Sequence, residues 1–347
     1  MTRRTRKQGR TGKNRPCMKK RFFTLLSAVI AAAAVLPAAS AFADDSVKIA
    51  MGYIPNVQFA PYYVAEEMGY FADEGIEVAF DYGMATDILS LAASGAVEFG
   101  VSDGDQVIIA REKGVPVRVV YTMYVKYPVG IVSLEESGIT GVRSLKGMRV
   151  GTPVPYGSNY FGLLALLQDA GMTLDDIDLQ FIGYTQTESL LSQKVDASVV
   201  FVNNEPVVLR DNGYRVRVIE AHRVTPMVSA AIIAGERIIR EDPELVKRFV
   251  RAVSRASVYA IENPDEALLL MRKHIPTLTD ANMGINRKVL MASMELWVDA
   301  DIERHGLGYT SEADWELSIE TMRALGLIER TIAPGECYTN EFIVKNR

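Results

Sequence analysis

Residues 97–121 read VEFGVSDGDQVIIAREKGVPVRVVY and contain the alternation that decides the fold. A β-branched strand at residues 97–101 is followed by a helical stretch at 105–113 and a second strand at 117–121. Gly114 stands just after the helix, where a residue in the left-handed conformation is favoured. Two strands joined by a helix in this way are typical of a parallel β-sheet. The stretch therefore predicts an α/β fold.

The rest of the chain extends this pattern into two series of strands and helices. One series begins at Ser46 and the other near Gly130, and the sequence becomes almost wholly helical after the strand at residues 228–234. The chain has 347 residues, more than the size at which one hydrophobic core usually keeps growing. Two lobes are therefore expected.

The order of the two series places the lobe boundaries. We assign residues 44–127 and 230–347 to the first lobe and residues 128–229 to the second. Connecting strands near residues 124–131 and 218–229 are predicted to form a two-stranded hinge between them.

The first 43 residues read as an export signal. A basic stretch precedes an apolar run at residues 22–36, and the small-residue site Ala41-Phe42-Ala43 follows. We expect cleavage before Asp44 and a periplasmic mature protein. A single-pass anchor is the alternative, although the run is shorter than the roughly 20 apolar residues a transmembrane helix needs. Residues 1–17 are either an extended basic region or lie before the true start codon.

Removal of that segment makes the protein strongly acidic. It takes away 10 of the 38 lysine and arginine residues and none of the 43 aspartate and glutamate residues, which leaves a net charge of −15. Such a surface argues against nucleic acid or an anionic membrane as the main partner. Only Cys337 remains, and His222, His274 and His305 lack metal-ligand spacing. We predict a monomer without metal, cofactor or intrachain disulfide.

Catalytic signatures are absent from the sequence. It contains no Gly-x-Ser-x-Gly elbow, no Walker loop, no Gly-x-Gly-x-x-Gly fingerprint and no His-Glu-x-x-His motif. Their absence favours a binding protein over an enzyme.

Polar or glycine-rich segments recur where a predicted strand gives way to a helix. Open α/β sheets bind ligands at this edge, because helix N-terminal amides point into the crevice beyond the carboxyl ends of the strands. We expect four such segments, residues 53–59, 102–106, 156–160 and 203–206, to line one shared cleft. As an alternative, some of their polar side chains could serve only as helix N-caps, namely Ser102, Asp103, Ser158 and Asn204.

The charge of these segments indicates which ligand the cleft favours. Asp103, Asp105 and Glu205 stand where a sulfonate or phosphate site would carry arginine or serine, so a ligand rich in N–H donors is favoured. Tyr124 and Tyr127, at the proposed hinge, are candidates for stacking on a planar ring. The aromatic residues of the region are Phe59, Tyr62, Tyr63, Tyr124, Tyr127, Tyr156, Tyr160 and Tyr184.

Three elements of the sequence resemble a known family. They are Gly52-Tyr53-Ile54-Pro55-Asn56 before a YYVAEEMGYF helix, Gly104-Asp105-Gln106, and Asn204-Glu205-Pro206 after a Val-Asp-Ala strand. Together, over roughly residues 47–329, they resemble the thiamine-precursor-binding family of periplasmic proteins, part of a wider group with sulfonate- and taurine-binding proteins. A branch with a Pro-Asn-Val-Gln-Phe-Ala-Pro segment similar to residues 55–61 looks like a riboflavin-binding group.

The resemblance implies a type II periplasmic-binding fold with the ligand between two lobes, and delivery of that ligand to an ABC permease with its ATPase subunits. Family members bind hydroxymethyl- or formylamino-pyrimidines, which are flat and nitrogen-rich, as riboflavin is. Carried over by position, the expected contacts are Asn56, Gln58, Asp103, Ser158, Tyr160 and Glu205. The segments and the hinge add Phe59, Gln106, Tyr124, Tyr127, Gly157 and Asn204.

Two other functions stay open at this point. Some fungal relatives are pyrimidine synthases that rely on a cysteine-rich segment and a reactive histidine, and this chain has no such cysteine cluster. An exported or cofactor-precursor-processing enzyme could use Glu205 or Asp103 as a general base. A ligand-sensing domain of a membrane receptor would share the fold and differ only in its partner. Our prediction is a transport-linked, non-catalytic binding protein that closes on its ligand by hinge bending.

Overall fold

Two five-stranded β-sheets form the framework of the protein in a computed structural model that describes residues 45–83, 87–225 and 227–345. The predicted export signal and its cleavage site before Asp44 lie outside the described residues. In spatial order the first sheet is β2-β1-β3-β10-β4 and comprises Ile76–Asp81, Asp45–Ala50, Phe99–Asp103, Ala230–Gly235 and Val117–Thr122. The second is β7-β6-β8-β5-β9 and comprises Asp178–Phe181, Arg149–Thr152, Ala197–Phe201, Val129–Leu134 and Val216–Glu220.

The two sheets share one topology. In each, the second strand in spatial order pairs parallel with both neighbours: β1 lies between β2 and β3, and β6 lies between β7 and β8. One strand of each sheet is antiparallel to both of its neighbours, β10 in the first and β5 in the second. The chain passes to the second sheet after β4 and returns to the first through β10. This confirms the predicted two-lobed α/β class.

Helices cover the sheets and fill the C-terminal third of the described chain. In chain order, α1 to α7 are Ala60–Glu67, Tyr70–Asp73, Ile88–Ser94, Gly104–Glu112, Gly157–Asp169, Gln186–Leu191 and Glu205–Asp211. The remaining helices, α8 to α14, are Glu236–Glu241, Pro243–Glu262, Pro264–Leu270, Met283–Met294, Ala300–His305, Glu312–Ala324 and Pro334–Cys337. No helix among the described residues is long and apolar enough to cross a membrane.

The long helix α9 anchors the C-terminal helices to the first sheet. Its apolar residues recur every three or four positions, which places them on one face of the helix. Phe249 on that face stacks on Phe99 of β3 and on Phe71 of α2, with ring centroids 4.0 and 5.1 Å apart. All three rings are buried. The first lobe therefore draws its core from both ends of the chain.

The two segments that connect the lobes contain fewer strand residues than the sequence predicts. The predicted strand near residues 124–131 is wrong before Val129, where β5 begins. The predicted strand at residues 218–229 is wrong beyond Glu220, where β9 ends and a 3-10 turn, Ala221–Arg223, follows. The chain leaves one sheet for the other here, so its backbone cannot continue either ladder. The two crossings meet at Ala230, whose carbonyl accepts hydrogen bonds from the amides of Met123 and Tyr124. The lobe boundaries at residues 127/128 and 229/230 stay a prediction.

Candidate ligand-binding site

A cavity of about 540 Å³ lies between the two sheets. Its walls include Met51 beyond β1, Asp103 at the end of β3, Pro153 beyond β6 and Phe201 at the end of β8. In each sheet, the connections that leave these two neighbouring strands run toward opposite edges of the sheet. Open α/β sheets bind ligands in the crevice between two such strands. The volume falls in the range of about 300–1,000 Å³ that is usual for small-molecule sites.

Most of the predicted contact residues line this cavity. Two of the twelve, Tyr127 and Tyr160, do not belong to its wall. The other ten do: Asn56, Gln58, Phe59, Asp103, Gln106, Tyr124, Gly157, Ser158, Asn204 and Glu205. That they contact a ligand stays a prediction.

The loop after β1 contributes Asn56 and Gln58. The Asn56 Oδ1 atom accepts a hydrogen bond of 3.0 Å from the Gln58 backbone amide, so Asn56 caps the short turn that follows. The Gln58 Oε1 atom accepts from the Tyr124 hydroxyl at 3.3 Å and from Asn203 Nδ2 at 3.1 Å. Asn203 comes from the loop after β8, so this last contact joins the two lobes.

A second contact between the lobes joins Asp103 and Ser158. The Ser158 hydroxyl, in the first turn of α5, donates to Asp103 Oδ2 at 2.8 Å. Asp103 precedes α4 but accepts no hydrogen bond from the backbone amides of its first turn, so N-capping does not account for this carboxylate. Burial raises its pKa, while hydrogen bonds from Ser158 and Gln106 act in the opposite direction. Asp103 thus remains an acceptor at the cavity wall.

Behind this wall, Asp105 is completely buried beside Tyr127. The Tyr127 oxygen lies 3.0 Å from Asp105 Oδ2 and 2.8 Å from the Ser158 carbonyl oxygen. A tyrosine has one hydroxyl proton, so it cannot donate fully to both acceptors. A protonated Asp105 resolves this by donating to Tyr127, which then donates to Ser158. Burial, followed by the charge of Asp103, raises the pKa of Asp105 to about 8, consistent with this arrangement.

Tyr127 and Tyr160, the two predicted contacts outside the wall, make other interactions. Tyr127 is buried with its hydroxyl held by the bonds just described, so its ring is not available for stacking on a ligand in this arrangement. Tyr160 lies within α5, with its ring edge-on to Phe161 at a centroid distance of 6.4 Å.

Glu205 begins α7 at the second-lobe side of the cavity. Its Oε2 atom accepts from the Phe201 backbone amide at 3.2 Å, and its Oε1 atom accepts from Asn204 Nδ2 at 3.1 Å. Asn204 occupies the N-cap position but makes no side-chain cap bond, so it supports the carboxylate and does not cap the helix. Burial raises the pKa of Glu205, and these two bonds partly oppose the effect.

Three tyrosines line the outer part of the cavity. Tyr53 follows β1, and its ring lies 6.2 Å from that of Tyr184 at an interplanar angle of 57°. Tyr156 and Tyr184 belong to the second lobe and are 64% and 61% exposed. Exposed aromatic faces on two sides of an opening can stack on a flat ring that enters it.

The charged residues of the wall are all acidic. Asp87, Asp103 and Glu205 line the cavity, and no lysine, arginine or histidine of the described chain belongs to its wall. The Asp87 carboxylate is partly occupied, since it accepts from the Ser90 backbone amide at the start of α3. Within the described ranges, no group of three histidine, cysteine, aspartate or glutamate residues could hold a metal ion. The wall therefore offers acceptors to a ligand and no cation to an anionic group.

The sequence pattern of the NMT1/THI5-like family matches residues 56–267, which include most of the residues that line the cavity. The chain belongs to this family. It is also 38% identical over 302 residues to a riboflavin-binding protein, RibY, of Chloroflexus aurantiacus, with 86% of each chain covered. This confirms the resemblance predicted from the three sequence elements.

Other relatives of this chain differ in what their names describe. A formylaminopyrimidine-binding protein of Halalkalibacterium halodurans is 27% identical, covering 85% of this chain and 90% of its own. A 4-amino-5-hydroxymethyl-2-methylpyrimidine phosphate synthase of Legionella pneumophila is 25% identical, covering 86% and 92%. The relatives of this chain therefore include proteins named for binding and proteins named as enzymes.

A solved structure confirms the fold that the family implies. The periplasmic aliphatic sulphonate binding protein SsuA of Escherichia coli matches with a TM-score of 0.66 at 15% identity, over 84% of this chain and 96% of its own. At 15% identity the similarity shows the fold alone, and that fold is the one of the periplasmic binding proteins.

Several wall residues were absent from the predicted contacts of this NMT1/THI5-like chain. Tyr184 and Gln186 follow β7, and Asp87 and Ile88 follow β2 by way of a longer loop. The segments after the outer strands β7 and β2 therefore also reach the cavity, at the same edge of each sheet as the four predicted segments.

Proposed function

We propose that this protein is the substrate-binding component of an ABC importer and captures riboflavin or a closely related flat, nitrogen-rich heterocycle. The observation that carries the proposal is the cavity itself. It lies between two lobes, has acidic side chains and tyrosines in its wall and no basic ones among the described residues, and belongs to a chain 38% identical to a riboflavin-binding protein.

The N–H groups and the planar rings of such a ligand have matching groups in the wall. Asp103 and Glu205 accept hydrogen bonds from ring N–H groups, because ionised carboxylates carry acceptors only. Tyr53 and Tyr184 supply aromatic faces to a planar ring system at the opening. A sulfonate would meet Asp103 and Glu205 without a cation to balance it, which disfavours the ligand class of the sulfonate-binding proteins that share the fold.

The size of the cavity favours a flavin over a single pyrimidine ring. A volume of about 540 Å³ accommodates a three-ring system with a polar side chain, whereas one substituted pyrimidine would leave much of it to water. Thiamine pyrimidine precursors are the second ligand candidate, supported by the formylaminopyrimidine-binding relative.

Transport requires that the protein open and close around its cargo. The Asp103–Ser158 and Gln58–Asn203 hydrogen bonds join side chains of the two lobes beside the cavity, and two crossing segments link the lobes. We propose that the lobes bend about these crossings, close on the ligand, and present it as a monomer to a permease with cytoplasmic ATPases. Export with cleavage before Asp44 is part of the same proposal.

An enzymatic role is the alternative, supported by the relatives named as synthases. Asp103 or Glu205 would then act as a general base, since burial raises the pKa of both. None of the histidines of the described chain lines the cavity, and burial raises the pKa of Cys337 to about 12, so its thiol is not a ready nucleophile. Prolonged incubation with riboflavin separates the roles: a binder returns the compound unchanged.

Riboflavin is expected to raise the melting temperature of the protein. A ligand that binds only the folded state adds about 2.7 kcal/mol of stability at one hundred times its dissociation constant. Thermal melts with riboflavin, aminopyrimidines and taurine measure this. A shift with taurine and none with riboflavin or aminopyrimidines would overturn the proposed ligand class.

A further inference from the structure

We infer that Gln58 faces the cavity as a hydrogen-bond donor of fixed orientation, and that Asn203 and Ser293 are the positioning residues that fix it. The ligand must then carry an acceptor, such as a ring nitrogen or a carbonyl oxygen, opposite Gln58. The inference deepens the proposed function and rests on it for the ligand class.

The chain of bonds begins in α11, at Ser293. This side chain is completely buried, and its hydroxyl donates to the Val289 carbonyl oxygen one turn earlier, at 2.8 Å. A serine has one hydroxyl proton, so Ser293 Oγ is left with acceptor capacity only. Any polar atom that approaches it must therefore be a donor.

Asn203 provides that donor. The residue is buried, and its Nδ2 atom lies 2.9 Å from Ser293 Oγ. Since Ser293 can only accept, the amino group of the Asn203 amide must point at it. The same Nδ2 atom lies 3.1 Å from Gln58 Oε1 and 3.4 Å from the Tyr124 hydroxyl oxygen, so its second hydrogen is directed at this pair, with the shorter contact to Gln58.

Gln58 must meet this hydrogen with its oxygen. The Tyr124 hydroxyl, 3.3 Å away, approaches the same Oε1 atom and donates to it. Both lone pairs of Oε1 are then in use, and the carbonyl end of the amide is turned toward Asn203 and Tyr124. Gln58 lines the cavity, so the polar atom it can offer to a ligand is Nε2.

The reverse orientation of the two amides is disfavoured by the same bonds. It would turn the Asn203 oxygen toward Ser293, and Ser293 would have to give up its bond to the Val289 carbonyl in order to donate. That carbonyl would lose its serine partner in a buried part of α11. In the inferred orientation the buried Asn203 Oδ1 atom has no hydrogen-bond partner among the described residues, so the bond that Ser293 donates to the Val289 carbonyl is what fixes the two amides.

The orientation of Gln58 gives the cavity a hydrogen-bond donor, which the carboxylates do not supply. Asp103 and Glu205 accept hydrogen bonds from N–H donors on the ligand, whereas Gln58 Nε2 donates to an acceptor on it. A heterocycle edge on which N–H groups and carbonyl oxygens or ring nitrogens alternate satisfies both. A ligand that carries donors alone would leave Gln58 unpaired when the cavity closes.

Side-chain amide exchange tests the network without any ligand. In ¹⁵N-labelled protein, both Asn203 amide protons are expected to exchange slowly with solvent and the Gln58 amide protons to exchange quickly, because only the former are bonded in the interior. Ser293→Ala is expected to speed the exchange at Asn203. Slow exchange at Gln58 would overturn the inferred orientation, whatever the rate at the buried Asn203 amide.

Binding tests the consequence, and α9 offers a matched control. Ser257 is also buried, donates to the Val253 carbonyl at 2.9 Å and accepts from the Tyr121 hydroxyl at 3.1 Å. Both Ser293→Ala and Ser257→Ala are expected to lower the melting temperature. Only Ser293→Ala is expected to weaken riboflavin binding, by about two- to tenfold, the size of one neutral hydrogen bond.

The outcomes separate this inference from the proposed function. If wild type binds riboflavin and the two alanine variants bind it equally well, the positioning role fails while the function stands. If wild type does not bind riboflavin, the proposed flavin ligand fails, and amide exchange still decides how Gln58 is oriented. With riboflavin bound, the Gln58 amide protons should become protected, and unchanged exchange there would contradict the donor role.

Discussion

Replacement of Glu205 by glutamine is expected to weaken riboflavin binding by about one to two orders of magnitude. A charge-assisted hydrogen bond is worth roughly 1.5–3 kcal/mol, and glutamine removes the charge while it keeps the shape. The introduced side chain would retain one oxygen for the Phe201 amide, but its amino group would face the Asn204 amino group. We therefore expect a modest loss of stability as well. Calorimetric titration and thermal melts measure the two effects separately.

Glu188→Gln is the matched control for this experiment. Glu188 lies on α6, is exposed and does not line the cavity, yet its charge acts on Glu205. The control makes the same change of charge near the site without removing a wall group, so the affinity should stay close to that of wild type. If Glu205→Gln lowers the melting temperature but leaves the affinity unchanged, Glu205 only supports the loop between β8 and α7.

The largest expected effect on stability concerns Asp105. Burial and the charge of Asp103 raise its pKa to about 8, whereas an aspartate in an unfolded chain ionises near pH 3.9, about the model-peptide value. Between these values the folded protein holds a proton that the unfolded chain has lost. The resulting stabilisation is fully present below the unfolded pKa and is lost as the pH rises through the folded one.

Asp105→Asn is expected to remove most of this pH dependence. The asparagine amide cannot ionise, but it can still donate to the Tyr127 oxygen. Across the window from about pH 4 to about pH 8, the wild-type free energy of unfolding should fall by roughly 1.4 kcal/mol per unit relative to the variant. Urea unfolding of both proteins at several pH values measures the difference.

A surface substitution of the same type controls for the change of side chain. Asp169 is exposed near the end of α5, and Asp169→Asn should leave the pH profile parallel to that of wild type. Parallel profiles for wild type and Asp105→Asn would show that Asp105 is ionised in the folded protein. The Tyr127 hydroxyl would then be shared between Asp105 and the Ser158 carbonyl.

The sequence predicted the fold class and the general position of the cavity because both follow from local patterns. Strands that end in polar residues before a helix bring those residues to one edge of a sheet, and this rule located Asp103, Asn204 and Glu205 at the wall. It did not show what each polar group bonds to. Asn56 does cap a turn, whereas Asp103 and Asn204 occupy cap positions without capping.

Other features depend on contacts between segments far apart in the sequence. Tyr127 was a stacking candidate because it lies at a crossing between lobes, but α4 and α5 meet around it and bury its hydroxyl. Asn203 was not a predicted contact, because the family resemblance rests on the neighbouring Asn204-Glu205-Pro206 element. Its bond to Ser293 joins residues 90 positions apart. No local spacing reveals such a pair, since it arises only when α11 packs against the second lobe.

Mass spectrometry of the small molecules released by denaturing the protein, after purification from its native host, tests the central claim most directly. We expect the release of an intact, chemically unmodified flavin or aminopyrimidine in an amount that approaches one molecule per protein chain. Release of an alkyl sulfonate, or of a chemically transformed product formed on the protein, would contradict a heterocycle-binding transport role.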